Sequence, residues 1–261
     1  MNLQRFSPST VLQPYIREFL LIKTAGDTDS TVIPDTSLVL SFRYQGAVTK
    51  READGNETLP EITIAGLRRS VRHFCYTGQT ANLLVLFKEG GIGAFSRTPA
   101  NELFDHTVAA DNLFRREQLE SLPDLLAEAK NDKARINLVE AFLLRQLAAK
   151  KQDLLIGNAV QLIHQHNGVI RINELAASLH LSQDPFEKRF RTLVGATPKQ
   201  YASIVRLRGL IHHYPTAYTS LTEASYDAGY FDQSHFIKSY HKIMLDQPRQ
   251  FDPAKFILPL S

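Results

Sequence analysis

The amino-acid sequence predicts an α+β protein, with a mixed, sheet-rich amino-terminal domain and an all-α carboxy-terminal domain. Short apolar runs separated by turn residues occupy roughly the first hundred residues, helical periodicity follows, and one helical pattern occurs twice near the end. The all-α domain is predicted to hold two helix-turn-helix units joined by a long helix. The predicted boundaries are residues 1–106 for the sheet-rich domain, 107–151 for a helical segment and linker, and 152–261 for the all-α domain, with helix-turn-helix units at about 172–194 and 221–244.

The strand predictions in the first domain rest on apolar runs that end in turn signals. The clearest runs are residues 37–44, 61–65, 71–76 and 81–87, bounded by Pro34-Asp35, Gly55-Asn56, Gly66 and Gly78. Residues 12–21 fit either a helix or a strand, because periodicity alone does not separate the two in a short apolar run. The polar stretch 50–60 is predicted to be an exposed loop or the end of a hairpin.

The segment 107–151 has the pattern of an amphipathic helix. Asp132 is expected to cap a helix in which Ile136, Val139, Leu143 and Leu147 recur every three or four residues. Two interpretations stay open at this point: the apolar stripe packs into a core, or it forms a dimer interface. The polar residues 148–153 are typical of a junction between domains.

The pattern that organises the chain lies in residues 221–251. Small residues at helical spacing precede Gly229, which fits a helix packed closely against a second one. Asp232 then begins a helix with Phe236, Tyr240 and Ile243 on one apolar face. The opposite face carries Gln233, Ser234 and Lys238, which can bond base edges or phosphates.

An earlier copy of the same pattern occupies residues 172–201. Its first helix carries Leu175, Ala176 and Leu179, and its turn is 180–182. Its second helix carries Phe186, Phe190 and Leu193 on the apolar face. The outer face of this second helix offers Asp184, Glu187, Lys188 and Arg191. The two copies end in similar sequence segments, GATPKQY at 195–201 and LDQPRQF at 245–251.

A long helix is predicted between the two copies. Pro198 suits its first turn, and the apolar residues Ile204, Leu207 and Leu210 continue it to about His213, before Pro215. Such a connector holds both recognition helices rigidly. They could then enter successive major grooves about 34 Å apart on one face of DNA.

These residues resemble the AraC/XylS family of bacterial transcription regulators. The resemblance covers about 153–253 and is carried mainly by AGYFDQSHFIKSYHK at 228–242 and by the run from 190 to 201. Two positions depart from the family pattern. Leu245 stands where a glycine usually ends the last helix, and Pro185 lies early in the first recognition helix.

The resemblance implies a set of DNA contacts in this chain. Base-reading residues would be Gln183, Asp184, Glu187 and Lys188 on the first recognition helix and Gln233, Ser234 and Lys238 on the second. Phosphate contacts would come from Ser182, Arg191, His235 and Lys242. Lys188 and Lys238 occupy matching places where the family often has arginine, and lysine lacks the two-pronged guanidinium, so base discrimination is expected to be softer.

The first domain shows a weaker resemblance to one AraC subgroup, in residues 32–35, 87–95 and Pro99 to Leu103. The resemblance implies a regulatory domain that responds to a small-molecule effector, with a homodimer and contact with RNA polymerase as further expected partners. A domain that only mediates assembly is the alternative. No membrane partner is expected, because the sequence has neither a signal peptide pattern nor an apolar run of membrane-spanning length.

Composition agrees with a DNA-binding protein without requiring one. The net charge is only +3, but Lys188, Arg189, Arg191, Lys199, Arg206 and Arg208 fall close together. The single cysteine, Cys75, excludes an internal disulfide and indicates a reducing compartment, which the family resemblance makes the bacterial cytoplasm.

An enzyme fused to a DNA-binding module is the second hypothesis. This hypothesis would require a nucleotide-binding site at the glycine-rich turn 88–93 or a reactive thiol at Cys75. A tight turn and a buried, inert thiol are the favoured interpretations of these features. The sequence shows no catalytic triad, paired carboxylates or metal-ligand spacing, so neither a catalytic residue, a metal nor a cofactor is expected.

Overall fold

The computed structural model describes residues 1–52, 55–148, 153–217, 223, 225, 226, 228–230, 232–245, 256 and 257. The strands are β1 Asn2–Phe6, β2 Ile16–Lys23, β3 Thr28–Val32, β4 Val39–Glu52, β5 Gly55–Thr58, β6 Ile62–Ala65, β7 Arg72–Phe87, β8 Thr107–Ala109 and β9 Phe256–Ile257. The helices are α1 Arg116–Leu119, α2 Leu122–Glu128, α3 Asp132–Gln146, α4 Leu154–Gln165, α5 Ile172–Ser178, α6 Gln183–Val194, α7 Pro198–Ala217 and α8 Gln233–Met244. Short 3-10 turns lie at Gly91–Ala94, Ala100–Leu103 and Ala110–Asn112.

All nine described strands belong to one sheet, whose main path is β1-β2-β7-β4-β6-β8. Its pairs are antiparallel except for β3 with β9. The runs 71–76 and 81–87, predicted as two strands, are two parts of the single strand β7. Gly78 lies between them with φ of 64°, and the paired strand β4 shifts register around Gly46, whose φ is 71°. The intervening glycine therefore bends one strand rather than separating two.

The ambiguous run at 12–21 contributes to strand β2, which begins at Ile16 and pairs with β7. Strands β1 and β3 were not predicted, because they are short and polar and show little alternation. The stretch 50–60 forms a hairpin between β4 and β5, as expected, although Ala53 and Asp54 lie outside the described residues.

Helix α3 packs its apolar stripe into the core of the sheet domain. Ile136, Val139 and Leu143 are at most 1% exposed, and the Phe142 ring meets Phe42 of β4 at 5.9 Å. This burial assigns the stripe to core packing and not to an exposed dimer face. The expected cap was misplaced by one residue: the Asn131 side chain accepts from the Ala134 N–H.

The glycine-rich turn after β7 is a packing turn. Gly90 has φ of 74°, and Gly91 lies so close to the Tyr15 backbone that an added Cβ would be 2.1 Å from its carbonyl oxygen. Glycine is needed here for close backbone approach, so a phosphate need not be invoked.

The carboxy-terminal helices pack around aromatic residues. Phe186, Phe190 and Tyr201 are fully buried between α6 and α7, and Phe236 and Tyr240 bury the inner face of α8 against α7. Helix α7 continues to Ala217, so the expectation that it ends near His213 was wrong by about one turn. Most of the first helix predicted for the second unit lies outside the described residues.

The sheet and the carboxy-terminal helices share buried contacts. Core residues of both regions belong to one continuous apolar cluster, which runs from Leu12 in the sheet domain to Tyr201 in α7. A second cluster joins Ile33 and Val71 of the sheet domain to Leu207 of α7 and Phe236 of α8. No helix in the described part of the chain is long and apolar enough to cross a membrane.

Candidate nucleic-acid interface

Helix α6 is oriented by its buried aromatic face. Phe186 and Phe190 are fully buried, and their rings lie 5.8 Å apart in an edge-to-face arrangement. Ser182 occupies the residue before the helix, with no side-chain capping bond, and Pro185 falls in the first turn, where a proline is tolerated. The opposite face is therefore turned outward.

The outward face of α6 carries the predicted polar residues. Gln183, Asp184, Lys188 and Arg191 are exposed, and Glu187 is half-buried. The Gln183 amide donates to Glu187 Oε1 at 2.7 Å, so these two side chains lie together one turn apart. That bond holds the Glu187 carboxylate near the start of the helix.

Helix α8 is fixed in the same way. The Asp232 carboxylate caps it by accepting from the His235 N–H at 2.7 Å, and Phe236 is fully buried beneath it. The predicted positions on this helix lie on its outer side: Gln233 is half-buried, and the exposed ones are Ser234, His235, Lys238 and Lys242.

A cleft of about 1140 Å³ lies between α6 and α8. Helix α7 contributes Lys199, Ser203 and Arg206 to its lining. Of the predicted residues, Gln183, Glu187, His235 and Lys242 line this cleft, and the other seven lie on or next to the same helices outside it. The structure thus brings both predicted faces to the borders of one concave surface.

The lining of the cleft is strongly cationic. Among its charged side chains, one is acidic, Glu187, and six are basic: Arg68, Arg69, Arg171, Lys199, Arg206 and Lys242. A concave surface with one sign of charge concentrates the field toward a ligand of opposite sign. The arrangement favours a polyanion.

Five of these cations were not selected from the sequence as site residues: Arg68, Arg69, Arg171, Lys199 and Arg206. Arg206 places its guanidinium 5.0 Å from the Tyr230 ring, and both residues line the cleft. Arg68 and Arg69 come from the loop between β6 and β7, in the other half of the chain. The adjacent arginine pair was visible in the sequence, but its approach to the recognition helices depends on how the two halves pack.

Polar groups also link the sheet domain to α4 and α7. Tyr201 donates its hydroxyl to Glu89 Oε1 at 2.7 Å, and His164 Nε2 lies 2.8 Å from the same hydroxyl oxygen. Burial disfavours the ionised form of Glu89 and would raise its pKa. Hydrogen bonds from His164 and Tyr201 and the positive charge of Arg17 have the larger effect, and together they lower the pKa of Glu89 to about 2. Glu89 therefore stays ionised within the contact.

A second polar contact centres on Asp35, which is 3% exposed in the sheet domain. Its Oδ1 lies 2.6 Å from Arg208 of α7 and 3.5 Å from Arg17 of β2. One buried carboxylate thus faces two guanidinium groups from different halves of the chain.

The features that could have indicated an enzyme are structurally ordinary. Cys75 is a half-buried thiol within β7, and the residues described contain no group of three or more ligand side chains able to hold a metal ion. His164 contacts the Tyr201 hydroxyl.

Comparison with known proteins gives two family matches. Residues 175–253 match a helix-turn-helix domain, and residues 4–109 match a domain of unknown function, DUF6597. The chain is 26% identical over 141 residues to the Msm operon regulatory protein of Streptococcus mutans, covering 53% of this chain and 51% of that protein. The chain therefore spans about half the length of this curated relative.

Two solved structures illustrate the structural likeness. ToxT from Vibrio cholerae gives a TM-score of 0.47 at 10% identity, with 88% of this chain and 95% of that chain covered. The AraC-like transcriptional activator CuxR gives 0.24 at 12% identity, with 82% and 86% covered. The sequence match over residues 175–253 agrees with the helical units described above and shows that this part of the chain is a helix-turn-helix domain.

Proposed function

We propose that the protein binds double-stranded DNA sequence-specifically and thereby regulates transcription. The observation that carries the proposal is the pair of recognition helices, α6 and α8, which bury aromatic faces and turn polar faces toward and around one cationic cleft. Two such helices held by α7 suit successive major grooves, with the intervening phosphate backbone over the cleft.

The contacts divide by chemistry. Base edges are read by Gln183, Asp184, Glu187 and Lys188 on α6 and by Gln233, Ser234 and Lys238 on α8. Phosphates are held by Ser182, Arg191, His235 and Lys242, which supply affinity without sequence information. The exposure of Lys188 and Lys238 supports direct access to the groove. The bond from Gln183 to Glu187 orients that carboxylate to accept from a cytosine amino group.

Regulation is assigned to the amino-terminal half. We place the sheet-rich regulatory domain at 1–106, the helical segment and linker at 107–151, and the DNA-binding domain at 152–261. A small-molecule effector bound to the first domain would change how it holds α7 and α8. The bound protein acts in the bacterial cytoplasm, as a homodimer, through contact with RNA polymerase.

The test is selection from a random DNA library by the full chain, followed by affinity measurements on the enriched sequence. Lys238→Ala is expected to relax preference at one base position and to weaken binding to the selected sequence by roughly 1–3 kcal/mol. Arg191→Ala, the matched control, is expected to weaken binding to all sequences alike and to flatten its salt dependence.

Enrichment of one sequence with these two distinct responses supports the proposal. Weak, salt-sensitive binding with no enriched sequence excludes sequence-specific regulation. Equal responses of the two variants would remove Lys238 from the base-reading set.

A further inference from the structure

The loop between β6 and β7, residues 66–71, is held firmly at the edge of the sheet domain. The Gly66 N–H donates to the His106 carbonyl at 3.0 Å, and the Asp105 backbone N–H donates to the Leu67 carbonyl at 2.8 Å. An added Cβ at Gly66 would lie 1.9 Å from the Leu103 carbonyl oxygen, so the backbone passes very close to that segment. These contacts fix the backbone path of the loop.

The same loop is bonded to the second recognition helix. The Val71 N–H donates to the Ile243 carbonyl at 2.8 Å, near the end of α8, and both side chains are buried in a shared cluster. This bond satisfies a carbonyl in the last turn of a helix, where intrahelical partners run out. The loop therefore keeps a defined position beside α8.

Arg69 extends from this loop into the cleft and remains accessible. Its side chain is 59% exposed, and its guanidinium lies 5.8 Å from the Phe104 ring, which limits its freedom. Asp105 is only a distant partner, at 3.8 Å from Arg69 Nε, because it binds Arg72 more closely at 2.9 Å. An exposed arginine with a stacked, restricted guanidinium is suited to bind a phosphate.

Arg68 adds a buried charge beneath the same surface. It is 9% exposed, and its Nη1 has no hydrogen-bond partner among the residues described. Burial lowers its pKa to about 10, so the side chain is still a cation at neutral pH. A buried cation that is incompletely paired is stabilised by an anion placed in the cleft above it.

We infer that the sheet domain is itself part of the DNA interface, with Arg69 binding a phosphate of the backbone that crosses the cleft and Arg68 reinforcing the positive field there. The inference rests on the proposed function, since it takes the cleft as the place where DNA lies between the two recognition helices. It adds a contact from outside the helix-turn-helix domain. An effector that shifts the sheet domain would then change DNA affinity directly, through the position of Arg69.

The experiment measures DNA binding by the full chain over a range of salt concentrations, with the selected sequence and with unrelated duplex DNA. Arg69→Ala is compared with Arg51→Ala, an arginine of the same domain that is 50% exposed and does not line the cleft. Both variants remove one positive charge from an exposed arginine side chain. Thermal unfolding of each variant checks that the fold is retained.

Arg69→Ala is expected to weaken binding several-fold for both DNAs and to make log K against log salt less steep by about 0.9, the effect of one phosphate contact. Arg51→Ala is expected to leave the slope unchanged. Equal slopes for the two variants, or tighter binding by Arg69→Ala because the loop blocks DNA, would overturn the inference while sequence-specific binding stands. A wild-type chain that selects no DNA sequence would overturn the proposed function as well.

Discussion

Leu245 and Gly195 occupy the same position after the two recognition helices, yet only one of them is a glycine. Leu245 ends α8 with φ of 58°, in the left-handed region, and its side chain is 57% exposed. Gly195 ends α6 with φ of 100°. The departure from the family pattern noticed in the sequence is thus a residue held in a conformation that L side chains rarely adopt.

Leu245→Gly is expected to raise the free energy of unfolding by about 1 kcal/mol, because it relieves this backbone conformation and removes little buried surface. The matched change, Gly195→Ala, is expected to lower it, since the added Cβ would lie 3.2 Å from the Ala100 carbonyl oxygen at a positive φ. Chemical denaturation of both variants measures the two effects. A loss of stability in Leu245→Gly would show that the exposed leucine makes contacts that matter more than its backbone conformation.

At the scale of the elements, α7 connects the DNA-binding half to the sheet by a buried ion pair. Asp35 lies in the turn before β4, and Arg208 approaches it to 2.6 Å from α7. The Asp35 side chain also accepts from the Thr36 N–H at 2.7 Å, which holds the carboxylate in place. Both recognition helices pack on α7, so the attachment of α7 to the sheet sets the position of both recognition helices.

Asp35→Asn is expected to lower the free energy of unfolding by roughly 3 kcal/mol, because it removes a buried carboxylate charge that faces the guanidinium groups of Arg17 and Arg208. The loss is at the lower end for a buried ion pair, since Glu89 still pairs with Arg17 at 3.1 Å. Asp29→Asn is the control: Asp29 pairs with Arg51 at 2.9 Å but is 63% exposed, so roughly 1 kcal/mol or less is expected. Urea titration of both variants provides the comparison. Similar small losses would mean that Asp35 does not stabilise the attachment.

At the scale of the whole molecule, the two halves form one packed unit in the described residues. The apolar cluster, the Val71 to Ile243 bond and the contact of Glu89 with Tyr201 all cross between them. Because the sheet domain contacts both α7 and α8, a change in its shape reaches the recognition helices without a flexible intermediate. This arrangement gives the proposed regulation a physical route.

The pKa of Glu89 predicts how this contact responds to acid. Its folded-state value of about 2 lies below its ordinary value of 4.5, so the stabilisation is present above about pH 4.5 and disappears as the pH falls toward 2. The shift corresponds to at most about 3 kcal/mol. The unfolding free energies of the wild type and of Glu89→Gln are therefore expected to differ at pH 7 and to converge as the pH approaches 2.

Denaturant titrations at a series of pH values measure this convergence. Glu52→Gln is a useful control, since Glu52 is an exposed carboxylate beside Lys50, away from the contact between the halves. A Glu89→Gln penalty that is the same at every pH would mean that the carboxylate charge contributes nothing to the contact.

The sequence by itself determined the two recognition helices and their hidden faces. Phe186, Phe190, Phe236 and Tyr240 were predicted as buried residues from helical spacing alone, and they are at most 2% exposed. The Asp232 cap was predicted equally well, because its capping bond reaches only three residues along the chain. Local periodicity and capping contain this information, since both depend on residues within one or two turns.

Only the tertiary structure decided which distant groups meet. The merging of two predicted strands into β7 depends on pairing with β4, and the choice between core packing and a dimer face for α3 depends on its contact with Phe42. The contacts of Glu89 with Tyr201 and of Asp35 with Arg208, and the approach of Arg69 to the cleft, join residues more than a hundred positions apart. Sequence periodicity reports which face of an element is buried but not what lies against it, so these contacts became visible only in the folded chain.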